Sequence, residues 1–167
     1  TVRVSSKSAF CHDDCMRLVI QRSRQASVEV DGSICGQIEH GLVVLVGFHK
    51  NDARVALEPV AEKLLGLRIF SNEDGRFDKS VQDTGGGVLL VPQFTLFGDA
   101  RKGKRPDFFS ALPPEQASGK FKDFISLVRS RHDSVEAGIF GADMQVSLVN
   151  DGPVTIIYDS PETRNIG

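Results

Sequence analysis

The run GLVVLVGF (41–48) contains no polar side chain. Side chains of a strand point alternately to its two faces, so an unbroken apolar run suits a strand covered on both sides. The chain must therefore fold around an interior strand. A second run, VLLVPQFTLFGD (88–99), starts apolar enough to be central but carries Pro92, which cannot donate to a ladder. The central strand fails at that point, and Gln93, Phe94 and Thr95 are presented at a strand end or bulge.

Other segments supply what surrounds these strands. MRLVIQRS (16–23) and ASVEVDG (26–32) read as two strands, Asp31-Gly32 as a hairpin turn, and SICGQIE (33–39) as the next strand. Leu57, Val60, Ala61, Leu64 and Leu65 recur at helical spacing, and Pro59 fits the first turn of that helix. RIFSNEDGRFD (68–78) is a strand followed by an Asp74-Gly75 turn. Gly85-Gly86-Gly87 reads as a flexible turn, since it enters a strand and lacks the lysine of a phosphate loop. Ala117, Phe121, Phe124, Ile125 and Val128 mark a second helix from Glu115 to Arg131, started by Pro113-Pro114. FGADMQVSLVN and PVTIIYDS then close the fold as two strands. The expected architecture is α+β: one strand-rich domain over 16–160, its sheet curled towards a barrel, with two main helices. Residues 1–15 read as an extension and 161–167 as a tail.

Several function classes fall away on composition. No apolar run approaches the roughly 20 residues of a membrane span, and the first residues lack the apolar core of a secretory signal. Cys11, Cys15 and Cys35 are odd in number and without framework spacing, which points to a reducing, cytoplasmic setting. CHDDC (11–15) has no second Cys/His pair to complete a zinc site, so no metal is expected. His12, His40, His49 and His132 stand apart from the unusual motifs, and nucleophile-elbow, Walker and H-E-x-x-H patterns are missing. A net charge of −2 argues against a general nucleic-acid coat. Arg101, Lys102, Lys104 and Arg105 nevertheless fall within five residues.

Two strand interruptions remain as candidate sites. After Pro92, Gln93 offers two donors and an acceptor, Thr95 a hydroxyl, and Phe94 a flat face for a base. In SLVNDGPVTIIYDS (147–160), Gly152 lets a ligand approach the backbone and Pro153 stiffens it. Each alone also reads as an ordinary turn. Together with MRLVIQRSRQASVEVDG, LLGLRIF, PQFTLFGDARKGKRPDF and GIFGADMQVSLVNDGPVT, in that order, they make the chain resemble the D-aminoacyl-tRNA deacylase family from Met16 to Ser160.

The resemblance implies a homodimer with its active sites at the subunit interface and no metal or organic cofactor. It implies hydrolysis of the ester joining a D-amino acid, or glycine mischarged on tRNA-Ala, to the terminal adenosine of tRNA, as chiral proofreading in translation. The family's Asn-x-Gly-Pro-x-Thr segment matches as Asn150, Gly152, Pro153 and Thr155. A cis Gly152–Pro153 step is implied, inserted into the partner's pocket, its carbonyls blocking the volume of an L-side chain. The other motif matches at Gln93, Phe94, Thr95 and Leu96 but departs at Pro92, where the main branch has Ser. A related branch that handles L-alanine mischarged on tRNA has proline there, so the departure bears on substrate range.

Phe140 and Met144 match the adenine site, with Phe94 and Phe140 as candidates to hold the terminal base. Phe108–Ala111 matches a loop that helps hold the substrate's amino group. The basic residues 101–105, directly after the PQFTLFGD strand, are placed to meet acceptor-stem phosphates. Two readings of the chemistry stay open: Thr95 as nucleophile, with no base beside it in sequence, or an ester activated by its own ribose hydroxyl and held by backbone N–H groups around Phe94–Thr95. A different class is a dimeric nucleic-acid-binding module on the same fold that has lost the activity.

Overall fold

The structure, a computed structural model, describes residues 15–52 and 56–161. The expected extension lies outside them apart from Cys15, the tail apart from Pro161, and Cys11 and His12 lie outside as well. Along the chain come β1 (Arg17–Val30), β2 (Ser33–Ile38), β3 (Gly41–Gly47), α1 (Leu57–Gly66), β4 (Phe70–Ser71) and β5 (Phe77–Lys79). The short α2 (Val81–Thr84), β6 (Gly87–Pro92), a 3-10 turn (Phe94–Phe97), α3 (Pro114–Arg129), β7 (Val135–Ala137) and β8 (Gln145–Asp159) follow.

The two strands expected over 16–32 are one. Ser23 Oγ donates to the Gln25 carbonyl at 2.8 Å, and the pairing with β8 slips a register there. β1 therefore bends without ending, as a bulged strand does. It is the hub of the sheet. Its first half pairs with β3 and its second half with β2, while β8 runs antiparallel along its other edge. The β1–β2 connection is the expected Asp31-Gly32 hairpin, both residues at positive φ (50° and 79°). β6 lies parallel to β3 and β7 parallel to β6. β2 folds back over these two, so closely that a Cβ on Gly36 would lie 3.1 Å from the Ala137 carbonyl oxygen. The six strands thus form a nearly closed, barrel-like sheet, and with the three helices an α+β domain.

β3 is buried on both faces, as its sequence requires. Leu42, Val44 and Val46 join the apolar stripes of α1 and α3, including Leu64, Phe121 and Phe124. Val43 points the other way, into the barrel, with Val28, Ile38, Leu89 and Val91. Each such side chain contributes about 1.5–3 kcal/mol by leaving water. α1 starts two residues before Pro59, which occupies its first turn.

Three expectations need correction. Gly85-Gly86-Gly87 is not a flexible turn: Gly85 caps α2 at a φ of 67°. Gly87 belongs to β6, where a Cβ on Gly41 would run into its carbonyl group. The strand over 68–78 shrinks to β4 and β5, two short pieces around Gly75 (φ 76°). The two closing strands are one, β8, which continues through Asn150-Asp151-Gly152-Pro153.

Candidate active site

The site is built where β6 ends. Val88 N–H donates outward to Ser134 and Gln93 N–H donates inward to Val46 at 2.8 Å. Alternation then aims position 92 towards β7, which has already ended at Ala137. Pro92 therefore leaves no ladder bond unmade, and a central strand can finish on proline. From Gln93 the chain enters the 3-10 turn, closed by Gly98 N–H on the Thr95 carbonyl at 3.0 Å.

A cavity of about 560 Å³ opens beside this strand end. It brings together six of the residues singled out in the sequence: Pro92, Gln93, Phe94, Ala111, Phe140 and Met144. Among the described residues, Gln93 is the only one lining it with a hydrogen-bonding side chain. Thr95 does not line the cavity; its hydroxyl accepts from Gln93 Nε2. Phe94 stands 53% exposed at the rim, its ring edge-on to Phe108 with centroids 5.2 Å apart. The segment carrying the lining residues Ala111 and Leu112 is tethered by the Phe48 carbonyl, which accepts from Leu112 N–H at 2.9 Å, and by Lys50 N–H, which donates to the Ser110 carbonyl at 2.8 Å.

Residues the sequence did not advertise hold the 3-10 turn in place. Arg17 donates through Nε and Nη2 to the two Asp159 carboxylate oxygens (2.7 and 3.1 Å). Its Nη1 donates to the Leu96 carbonyl at 3.2 Å, and its guanidinium lies 5.2 Å from the centre of the Phe97 ring. The hydrogen bond to Asp159 raises the Arg17 pKa further. His49, expected to be remote from the motifs, is buried edge-on to Phe97 (5.5 Å) and bridged to Ala111. Its signal was position: it directly follows the buried run. Nearby, burial and then the Asp159 charge push the Cys15 thiol up to about 12, so it is no nucleophile at neutral pH.

Asn150, Gly152, Pro153 and Thr155 do not line this cavity. They sit in a detour of β8, where a step of two along β1, from Gln21 to Ser23, is matched by a step of five along β8, between Thr155 and Asn150. Asn150 spans the detour: its Oδ1 accepts from Val154 N–H at 2.7 Å and its Nδ2 donates to Thr155 Oγ1 at 3.0 Å. Arg22 supports it from β1, with Nε on the Asp151 carbonyl and Nη1 on the Ile69 carbonyl, both 2.9 Å. The Gly152–Pro153 bond is cis, Gly152 has a φ of 135°, and both residues are exposed.

The basic segment is a loop closed by paired backbone hydrogen bonds between Asp99 and Asp107 (2.8 and 3.0 Å). Arg101 grips the Asp99 carboxylate at 2.6 Å and holds it far below the usual carboxylate range. Lys102, Lys104 and Arg105 are exposed. No helix among the described residues is long and apolar enough to cross a membrane.

The chain is similar to several known proteins. A family model described as D-Tyr-tRNA(Tyr) deacylase matches residues 19–159. The D-aminoacyl-tRNA deacylase of Rhodopirellula baltica is 51% identical over 144 residues, 86% of this chain and 99% of its own. A solved structure of the c-Myc DNA unwinding element binding protein superposes with a TM-score of 0.81 at 42% identity, over 87% of this chain and 99% of that one. The structure of a probable eukaryotic D-amino acid tRNA deacylase, at 18% identity, shares the fold (TM-score 0.77, over 87% and 100%).

Proposed function

The chain belongs to the D-Tyr-tRNA(Tyr) deacylase family, and we propose that it hydrolyses the ester bond of D-aminoacyl-tRNA in the cytoplasm, releasing free tRNA and the D-amino acid. The observation that carries this reading is the cavity at the end of β6. Its walls are rings and aliphatic groups, with Gln93 as the one hydrogen-bonding side chain. That lining suits a nucleoside and an ester, and among the described residues it offers no acid, base or nucleophile of its own. An aminoacyl ester is already reactive, and the neighbouring ribose hydroxyl can assist water. The protein's share is then positioning, with backbone N–H groups around Phe94–Thr95 facing the developing oxyanion. Phe94 and Phe140 hold the terminal adenine, and the Phe108–Ala111 loop approaches the amino group.

D- and L-aminoacyl groups carry the same functional groups, so only shape separates them. We assign that task to the exposed Gly152–Pro153 backbone, acting in the cavity of a second copy of the chain. Support comes from its position outside the chain's own cavity, with exposed Val149 and Ile157 flanking it on β8. A glycyl ester, having no side chain to exclude, passes the same filter, including glycine mischarged on tRNA-Ala.

The test is hydrolysis of D-tyrosyl-tRNA against L-tyrosyl-tRNA. Rapid loss of the D-ester alone is the expected result; equal rates overturn the filter, and no hydrolysis of either overturns the enzyme. The second reading, a nucleic-acid-binding module, is favoured by the structural relative at 42% identity that is named for DNA binding. It predicts binding of tRNA or DNA without hydrolysis.

A further inference from the structure

We propose that Phe109 forms a second base-stacking position, outside the cavity, for the unpaired nucleotide that precedes the terminal adenosine. The inference rests on the deacylase reading and extends it from the last nucleotide to the one before it.

Phe109 is 83% exposed, more than any other large apolar side chain among the described residues. An apolar ring in a pliable loop normally folds onto the nearest apolar surface. This one is denied that freedom by its backbone. Asp107 is tied to Asp99, Phe109 N–H donates to Asp107 Oδ1 at 3.3 Å, and Ala111 N–H donates to the Phe108 carbonyl at 3.0 Å. Ser110 and Leu112 are anchored to Lys50 and Phe48. Consecutive rings on this braced turn are thus split: Phe108 lines the cavity and meets Phe94, while Phe109 stands in solvent.

The surroundings select the occupant. The same turn closes the loop that carries exposed Lys102, Lys104 and Arg105. Cationic side chains beside an exposed ring are how single strands are held without sequence readout: the charges follow the phosphates and a base lies on the ring. An aminoacylated 3′ end whose last base enters the cavity leads its preceding nucleotide out over the rim, on the side of Phe108 and its neighbour.

The test is a binding experiment independent of catalysis. The probe is a four-nucleotide single-stranded RNA ending in adenosine, with 2-aminopurine next to last, and its fluorescence reports stacking. Phe109→Ala should weaken binding about tenfold or more and abolish the fluorescence change. Phe109→Tyr should retain both. Binding of adenosine monophosphate should be the same in all three proteins. Unchanged RNA affinity in Phe109→Ala overturns the proposal, as does equal weakening of the mononucleotide. A shift in sedimentation towards smaller species in Phe109→Ala also overturns it, because the ring would then be a contact between protein copies. Failure of the deacylase reading itself shows separately, as absence of D-ester hydrolysis by the unmodified protein.

Discussion

Arg22 Nε donates to the Asp151 carbonyl at 2.9 Å, one residue before the Gly152–Pro153 step. With its second bond to Ile69 and its guanidinium 5.6 Å from the centre of the Phe77 ring, it fixes the detour in β8 against the body of the domain. Removing it leaves two partly buried carbonyls without this donor. Arg22→Ala should destabilise by about 1–3 kcal/mol in chemical denaturation. In the proposed enzyme it should also narrow the ratio of D- to L-tyrosyl ester hydrolysis. Arg22→Lys, which cannot form the fork, should fall between the two. An unchanged ratio in a folded Arg22→Ala protein would separate this anchor from the filter.

The two chemical readings part at Thr95, whose hydroxyl accepts from Gln93 rather than facing the cavity. Positioning catalysis predicts that Thr95→Ala keeps its rate within about tenfold, a loss of no more than about 1.4 kcal/mol in barrier. A nucleophilic Thr95 predicts a fall of several orders of magnitude and a trapped acyl-enzyme on rapid quench.

Salt dependence measures the basic loop. Arg101 is already engaged by Asp99, so we expect Lys102, Lys104 and Arg105 to dominate phosphate neutralisation. The log–log slope of tRNA affinity against salt should be about −2 to −3. Replacing the three by Gln should flatten it to near zero, while Arg101→Gln should change it little.

Close backbone approach makes Gly41 intolerant. A Cβ there meets the Gly87 carbonyl group inside the β3–β6 pairing, so Gly41→Ala should lose about 3 kcal/mol or more, or fail to fold. Gly66, at the end of α1 with nothing within 4 Å of an added Cβ, is the contrast. Gly66→Ala should be neutral or stabilise by about 0.5–1 kcal/mol. Paired melting curves decide.

Alkaline stability should report Cys15. Its thiol is raised from 9.0 to about 12 by burial and by Asp159. Between those values the unfolded chain has lost the proton that the folded chain keeps. Stability is therefore full below pH 9 and falls as pH rises towards 12, by up to about 1.4 kcal/mol per pH unit. Tyr158, also raised by burial, adds in the same direction. Cys15→Ala should make the decline shallower, and the native thiol should resist iodoacetamide at pH 8.

Much of the fold was legible because the pattern and the packing agree. The run at 41–48 needed cover on both faces and has it, and the stripe of α3 is the one its spacing marks. What escaped was non-local. Whether Ser23 ends a strand or only bends it depends on β8, where its partner Asn150 lies 127 residues further along the chain. Whether Gly87 is slack or tightly packed depends on Gly41. Of the six cavity residues, Pro92, Gln93 and Phe94 were found because Pro92 broke a run that otherwise reads as core, while Ala111, Phe140 and Met144 came only from the family resemblance. Arg17, Arg22 and His49 were not found, since a strand arginine or a histidine after a buried run has no local mark of what it will touch.

The detour in β8 has one more consequence. A loop at a hairpin tip can gain or lose residues while its strands stay put. Here the excursion is spliced into a ladder whose two arms are both registered on β1, from Gln145 opposite Glu29 to Asp159 opposite Arg17. A deletion between Asn150 and Thr155 would have to straighten the detour or slide the second arm, turning Ile156 outward and carrying Asp159 off Arg17. The length of this segment is therefore held by the sheet itself, and natural variation here should take the form of substitution rather than insertion or deletion.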